Sequence, residues 1–529
     1  MLNKELQQLR IFDTTLRDGD QTAGFAFSSL NQKEKLAVAI DEYGVDCIEA
    51  GFPCASEMEF KTCSQIASKG LQAEIAVMTR CRENDIRKSV TVFKGMKKSK
   101  SMLHISLPIS QMHMKDKLCL PPSKVQKLMV TCIRQATDNV HAVEMGFEDA
   151  SRADPEFLCE CCSLAIQNGA RIINIADTTG SLLPNQTAKL VRFLKNSVPE
   201  FLSGTGILSI HCHNDMGLAL SSALTAVESG AGQIEVSVGG IGERCGNVPL
   251  EQLAYALDEY QDYFKVHTNL RPEKTHHLCH TLFSFLGTDL SPFRPVTGWN
   301  TDSHASGIHQ QGICANEKTY IVHNIKKYNM VQRRFILSRH SGTSGLRTIL
   351  ENLITSNSAL KKATTPSMLD TLLVAVKDAG AHCSAIGITE LCKILYNKNI
   401  IKQAPYTCSK ISVHKNLRNQ KQSVIVHAEV IHATKKILFF EQSGNSFEDC
   451  CTNIACNICN KTLKIKTLSW TGYMSSEINL AEKISLYIEI QTESCLYSIS
   501  RSGFSKELVY FESLLDVVNA EFVSESTCL

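Results

Sequence analysis

From residue 8 to about 260 the chain repeats one alternation eight times: a short run rich in apolar and β-branched residues, then a longer amphipathic stretch. The runs are Leu9–Thr14, Asp46–Gly51, Ala73–Met78, Met102–Leu107, Ala142–Phe147, Arg171–Ala176, Ile207–His211 and Gln233–Val238. Such alternation argues for parallel strands joined by crossover helices, and runs this apolar would not sit half exposed to water. Eight of them predict a sheet closed into a (β/α)8 TIM barrel. A doubly wound open sheet is the rival, but its first turn usually carries a glycine-rich phosphate fingerprint. Here that turn reads Arg17-Asp18-Gly19-Asp20, with one glycine.

A chain of 529 residues is longer than one ordinary domain. The pattern divides it into a barrel at 1–265, a helical linker or lid subdomain at 266–402, and a small α+β domain at 403–529. Pro292 and Pro295 mark a break near the start of the helical part. In the last part, strand-like runs occur at Val424–Ile431, Ile437–Phe440, Thr462–Thr467 and Ile484–Ile490, with helix-like stretches at Phe447–Ile458 and Leu508–Phe522. Two copies of strands followed by a helix predict internal pseudo-symmetry.

Charge excludes some partners. Fifty-five Lys+Arg against 53 Asp+Glu, with no dense basic block, argue against nucleic acid. No apolar run reaches the roughly 18 residues of a membrane helix, and Met1 to Arg10 are polar with mixed charge, so a cytoplasmic location is expected. The 22 cysteines are then read as free thiols, many of them inside apolar segments, as at Cys47, Cys132 and Cys212. Cys456 and Cys459, in a group with Cys450 and Cys451, have the CxxC spacing of half a zinc site. No second CxxC lies nearby, so a helix burying some of these thiols is the plainer reading.

Polar residues gather where a barrel places its active site, beyond the C-terminal ends of the strands. Strand one leads to Arg17-Asp18, strand five to Glu148-Asp149, strand six to Asp177-Thr178, strand seven to His211-Cys212-His213, and strand eight to Glu243-Arg244-Cys245-Gly246-Asn247. Any one of these alone could be a helix cap. His211 and His213, two apart on an extended segment, face the same side and can reach one ion at about 2.0 to 2.2 Å. With Asp18 they suit Mg²⁺, Mn²⁺ or Zn²⁺ in an open catalytic site.

The motifs DTTLRDGDQ (13–21), IEAGFP (48–53), EDASRAD (148–154), HCHND (211–215), GIGERCGN (240–247) and SGIHQQG (306–312) occur in this order. Together, over roughly residues 8 to 345, the chain resembles the 2-isopropylmalate synthase and homocitrate synthase family of metal-dependent condensing barrels. The resemblance implies a Claisen-type condensation. Acetyl-CoA is deprotonated at its methyl group, the enolate attacks the ketone of a 2-oxo acid, and water cleaves the thioester. It implies that Asp18, His211, His213 and Asn247 bind the ion, that Arg17 stabilises the alkoxide, and that Thr178 holds the substrate carboxylate. Glu148, His309 and Tyr320 would handle protons. A homodimer is also implied, because in this family the lid often comes from the partner subunit. Asp20 stands where the family usually has Glu, and Gln311 where 2-isopropylmalate synthases usually have Asp; tuning rather than loss is expected. Residues after about 403 resemble a degenerate form of the family's leucine-sensing domain, with Gly444-Asn445 and Gly503-Phe504-Ser505-Lys506-Glu507 similar to its effector loops.

For the substrate, IEAGFP and HCHND resemble 2-isopropylmalate synthases, whereas TAGFAFS (22–28) and EDASRAD resemble homocitrate synthases. A second substrate carboxylate would need a cation or donor in the pocket. Arg80 after strand three argues for one, and Glu144 within strand five argues against it. The expected acid is 2-oxoisovalerate, then 2-oxoglutarate, then pyruvate. The alternative from another class is a catalytically silent metabolite-sensing barrel.

Overall fold

Strand β1 (Arg10–Asp13) pairs in parallel with β2 (Cys47–Glu49) on one side and with β8 (Gln233–Val236) on the other, and that double pairing closes the sheet. Between them run β3 (Glu74–Arg80), β4 (Ser101–Pro108), β5 (Ala142–Glu148), β6 (Ile172–Asp177) and β7 (Ile207–Cys212), each hydrogen-bonded to its sequence neighbours in an eight-stranded barrel. All eight strands fall on the runs expected from the sequence. The computed structural model describes residues 6–525 apart from 26, 28, 287, 289, 292, 322–327, 329–333, 354–363, 383–384, 402–404, 419–420, 433–435, 445, 460–462, 472–483, 493–495 and 504–505. Pro292, Thr462, Asn445, Phe504 and Ser505, singled out above, and positions 26 and 28 of the TAGFAFS motif, lie outside the described residues.

Helices α1 (Leu30–Tyr43), α2 (Glu57–Ser68), α3 (Glu83–Val90), α4 (Pro122–Thr137), α5 (Pro155–Gln167), α6 (Pro184–Ser197), α7 (Ala219–Glu228) and α8 (Leu250–Glu259) alternate with the strands. Their starts follow local chemistry. Ser29, Ser56 and Asp154 accept N–H groups of the first turns of α1, α2 and α5, while Pro122, Pro155 and Pro184 occupy first-turn positions where no N–H is needed. Gly44 ends α1 at φ 94°, and a Cβ there would lie 2.2 Å from the Asn269 carbonyl oxygen, so a side chain is excluded.

Inside the barrel, residues two apart on a strand share a face and climb from floor to rim. The floor is apolar: Phe12, Cys47, Ala76, Met102, Ala142 and Ile172 form one buried cluster. One step up, the same faces carry Glu49, His104, Glu144, Asn174, Ser209 and Glu235, all buried. A further step brings Ser106, Gly146, Ala176 and His211 to the wall of a cavity at the rim. A buried polar layer thus lies between floor and cavity.

By its internal contacts the chain forms two units, residues 1–287 with 327–329, and residues 288–326 with 330–529. The first contains the barrel and α9 (Thr275–Leu286). Tyr328 belongs to it, buried with its hydroxyl on the Asp258 carboxylate of α8. The second contains α10 (Gly307–Ala315), α11 (Thr343–Leu353), α12 (Pro366–Gly380) and α13 (Ile388–Asn397). It then builds two three-stranded antiparallel sheets, each followed by a helix. These are β9 (Thr407–Arg418), β10 (Lys421–His432), β11 (Lys436–Gly444) and α14 (Phe447–Cys459), then β12 (Lys464–Thr471), β13 (Ile484–Gln491), β14 (Leu496–Gly503) and α15 (Lys506–Glu525).

The repeat read from the sequence is therefore present, with one more strand in each copy than the apolar runs marked. β9 and β14 went unread because Ser409, Lys410, Ser412, Lys415 and Asn416, and Ser498, Ser500, Arg501 and Ser502, dilute their apolar positions. Pairing to a central strand supplies what their own composition does not. Cys450, Cys451 and Cys459 of α14 are buried in the core of this module, and no disulfide or cysteine metal cluster occurs among the described residues. Thr389 N–H of α13 donates to Asp516 at 2.8 Å, and Asn519 bonds both backbone groups of Tyr406, tying α15 to α13 and to the segment that enters β9. Among the described residues no helix is long and apolar enough to cross a membrane.

Candidate active site

The rim cavity measures about 370 Å³. It is lined by residues delivered from the ends of β1 and β3 to β8, among them Arg17, Asp18, Glu148, Thr178, His211 and His213. Six of the side chains expected from the sequence therefore converge. Asn247 is buried close by. Arg80 is not in the lining: its guanidinium binds Asp85 at 2.5 Å and lies over the Phe52 ring at 5.6 Å. His309 and Tyr320 belong to the second unit, where their exposed rings stack at 4.1 Å.

One ligand atom each from Asp18, His211 and His213 lies within 4.8 Å of the others. His211 Nε2 and His213 Nε2 stand 3.7 and 3.8 Å from Asp18 Oδ2, and 3.2 Å from each other. Alternation along β7 produces this: His211 and His213 face inward while Cys212 is turned away and buried. The far side of each ring is occupied, His211 Nδ1 by Glu235 Oε2 at 2.6 Å and His213 Nδ1 by the Gly246 carbonyl at 3.3 Å. A carboxylate or carbonyl behind an imidazole fixes its tautomer and frees Nε2 for an ion. Burial and the neighbouring His211 push His213 down to about 4, so its ring is neutral at pH 7. Burial would raise Asp18, but Arg17 and the two histidines hold it well below the usual carboxylate range.

Two further observations test whether a metal fits. Asn247 donates to the Ile241 carbonyl at 3.1 Å, while its buried Oδ1 has no hydrogen-bond partner among the described residues. Gly242 makes room for that side chain, since a Cβ there would lie 2.2 Å from Asn247 Nδ2 and 3.1 Å from Asp18 Oδ1. A buried acceptor without a donor is unfavourable unless something electropositive meets it. Two imidazoles whose Nδ1 atoms are already engaged, a carboxylate and an unsatisfied amide oxygen fit a divalent cation.

Arg17 is held from below. Its Nε donates to Glu49 Oε2 at 2.7 Å and its Nη1 meets Asp18 Oδ2 at 3.1 Å. Glu49, fully buried, also accepts from Thr14 Oγ1 at 2.6 Å and contacts His104 Nδ1 at 2.7 Å. Burial would raise its carboxyl, yet Arg17 and His104 bring it down to about 2. Burial opposes charge on His104 too, but Glu49 lifts it to about 9. Glu144, with Gln233 on Oε1, is raised to about 8 by burial. Sequence reading gave Glu49, His104 and Glu235 no role. Their signal was available: an ionisable side chain inside a strand buried on both faces must be paired or protonated.

On the opposite side, Glu148 Oε1 accepts from Lys117 Nζ at 2.6 Å. Thr178 Oγ1 accepts the Asp149 N–H at 2.9 Å, leaving its own hydroxyl proton to donate. Arg244 is clamped by both oxygens of Asp215, at 2.7 and 2.9 Å, and donates to the Thr178 carbonyl at 2.8 Å. The cavity therefore has a carboxylate on one wall, an immobilised guanidinium on another, and the His–His–Asp set between β1 and β7.

Residues 8–281 match the HMGL-like family, and residues 296–369 match the homocitrate synthase post-HMGL domain-like family. The 2-isopropylmalate synthase of Sediminispirochaeta smaragdinae is 38% identical over 340 residues, 64% of this chain and 67% of that protein. That of Pyrococcus abyssi is 38% identical over 348 residues, covering 66% and 71%. That of Nitrosomonas eutropha is 31% identical over 428 residues, 81% of each.

Proposed function

The chain belongs to the HMGL-like family, and from that premise we propose that it is a 2-isopropylmalate synthase, condensing acetyl-CoA with 2-oxoisovalerate to a 2-alkylmalate and free coenzyme A. The observation that carries this reading is the sharing of one cavity by Arg17, Glu148, Thr178 and the Asp18, His211, His213 set. Asp18, His211, His213 and Asn247 would hold Mg²⁺, Mn²⁺ or Zn²⁺, whose Lewis acidity polarises a carbonyl oxygen when bound.

The protein's own groups divide the remaining work. Glu148 takes a proton from the acetyl methyl, a weak carbon acid that needs a placed base. Arg17 receives the charge that develops on the ketone oxygen; because Glu49 already fixes it, little reorganisation is needed as that charge appears. Thr178 donates its hydroxyl proton to the carboxylate of the oxo acid. His309 and Tyr320, on the lid region of a homodimer, share the handling of protons with Glu148. Residues 1–265 form the catalytic part, 266–402 the lid region and 403–529 a degenerate regulatory-like domain, in a cytoplasmic enzyme.

The choice of acid follows the wall. Met78, Gly146 and Ala176 provide its apolar surface. Of the cations near the rim, Asp85 holds Arg80 outside the lining, while Lys117 is paired with Glu148 and Arg244 is clamped by Asp215, and this supports 2-oxoisovalerate over 2-oxoglutarate. Thiol release from acetyl-CoA, measured across a panel of 2-oxo acids with and without a chelator, tests the proposal. Release with 2-oxoisovalerate, lost on chelation, is expected. Silence with every acid would leave the catalytically inert sensor instead.

A further inference from the structure

The segment between β4 and α4 carries a feature that the chemistry above does not use. After β4, the Ile109 N–H donates to the Glu148 carbonyl at 3.2 Å, tying the segment to the backbone of β5. Ser110 Oγ caps the next turn through the His113 N–H, Met114 is buried, and residues Met114–Leu118 wind as a single π-helical turn. Cys119 ends it in the left-handed region at φ 53°. Isolated π turns are wider than an α turn and recur at functional sites. Lys117 Nζ donates to Glu148 Oε1 at 2.6 Å, and His113 Nδ1 lies 3.3 Å from the same oxygen without a hydrogen bond to it. His113 Nε2 is also 3.7 Å from Asp149 Oδ2.

Both contacts fall on Oε1, and Oε2 has no partner among the described residues. The Lys117 side chain is 55% exposed, and an exposed ion pair of this kind contributes little to stability. Yet Lys117 lines the same cavity as Glu148. We propose that Lys117 is a positioning residue for proton abstraction, gripping one oxygen of Glu148 so that the other points at the acetyl methyl. This rests on the reading of Glu148 as the base.

The test compares Lys117→Met and Lys117→Arg with the wild type, following coenzyme A release with 2-oxoisovalerate and acetyl-CoA varied in turn. A misaimed base lowers kcat by about 10- to 100-fold. KM for both substrates should stay within about twofold, and Lys117→Arg, which keeps a cation able to grip Oε1, should recover most of the loss. An active wild type with unchanged kcat in Lys117→Met overturns the inference. So does a raised KM for the oxo acid at constant kcat, which would make Lys117 a counter-ion for substrate. A wild type silent with every 2-oxo acid overturns instead the reading of Glu148 on which the inference stands. If Lys117→Met does not fold, Lys117→Gln carries the same comparison.

Discussion

Arg17 and Glu49 meet at 2.7 Å across neighbouring strand ends, and the carboxylate that anchors the guanidinium is completely buried. Removing its charge should therefore be felt twice. Breaking a buried pair by changing one partner typically destabilises by about 3 to 5 kcal/mol, and Arg17 also loses its fixed aim. For Glu49→Gln we expect a lower melting temperature together with a kcat reduced by about 100-fold. A variant with wild-type kcat would show that Arg17 needs no anchor.

The ion site should respond in steps. His213→Ala is expected to abolish metal-dependent turnover while leaving the circular dichroism spectrum intact. Glu235→Gln, which keeps both imidazoles but weakens the group behind His211, should lower metal affinity by about 10- to 100-fold. Metal content after dialysis against graded chelator reads both effects, and wild-type retention in His213→Ala would remove that ligand.

Stability should fall on the alkaline side. His104, raised from 6.5 to about 9 beside Glu49, contributes stability that is complete below 6.5 and lost as pH climbs through 9. Glu144, raised by burial from 4.5 to about 8, favours the folded state in its protonated form, and that contribution fades between 4.5 and 8. Between about 6.5 and 8 the two act in the same direction. Melting temperatures should decline across this window, less steeply in His104→Gln; a flat profile there would contradict the assignment.

Gly146 tests the acid-binding wall. A Cβ at this position would lie 2.3 Å from His104 Nε2, and Glu49 restrains that ring from moving. Gly146→Ala should narrow the cavity and shift the kcat/KM ratio of 2-oxoisovalerate to pyruvate toward pyruvate by about tenfold, the order expected for one methyl group. An unchanged ratio would place the acid's side chain elsewhere.

The barrel was legible because all eight strands are apolar runs set off by helical periodicity, and the meeting of His211 and His213 with Asp18 was legible because residues two apart at a strand end face one side, toward the polar end of strand one. Glu49, His104 and Glu235 were passed over as members of strands, although their ionisable groups in a buried sheet organise the site from beneath. Arg80 illustrates the opposite difficulty: a cation after a strand end reads as a binding group, whereas Asp85, five residues later, takes its charge. No local pattern announces that competition. β9 and β14 were missed for a third reason, since polar strands are defined by the neighbour they pair with.

Of the proposed metal ligands, Asp18, His211 and His213 follow from the ends of β1 and β7, whereas Met78, Gly146 and Ala176 stand on β3, β5 and β6. Of the three, only Gly146 reaches through His104 and Glu49 to the network that aims Arg17. Substitutions at Met78 and Ala176 are thus a route to a changed acid preference that leaves the proposed ligands on their own strands of a closed ring.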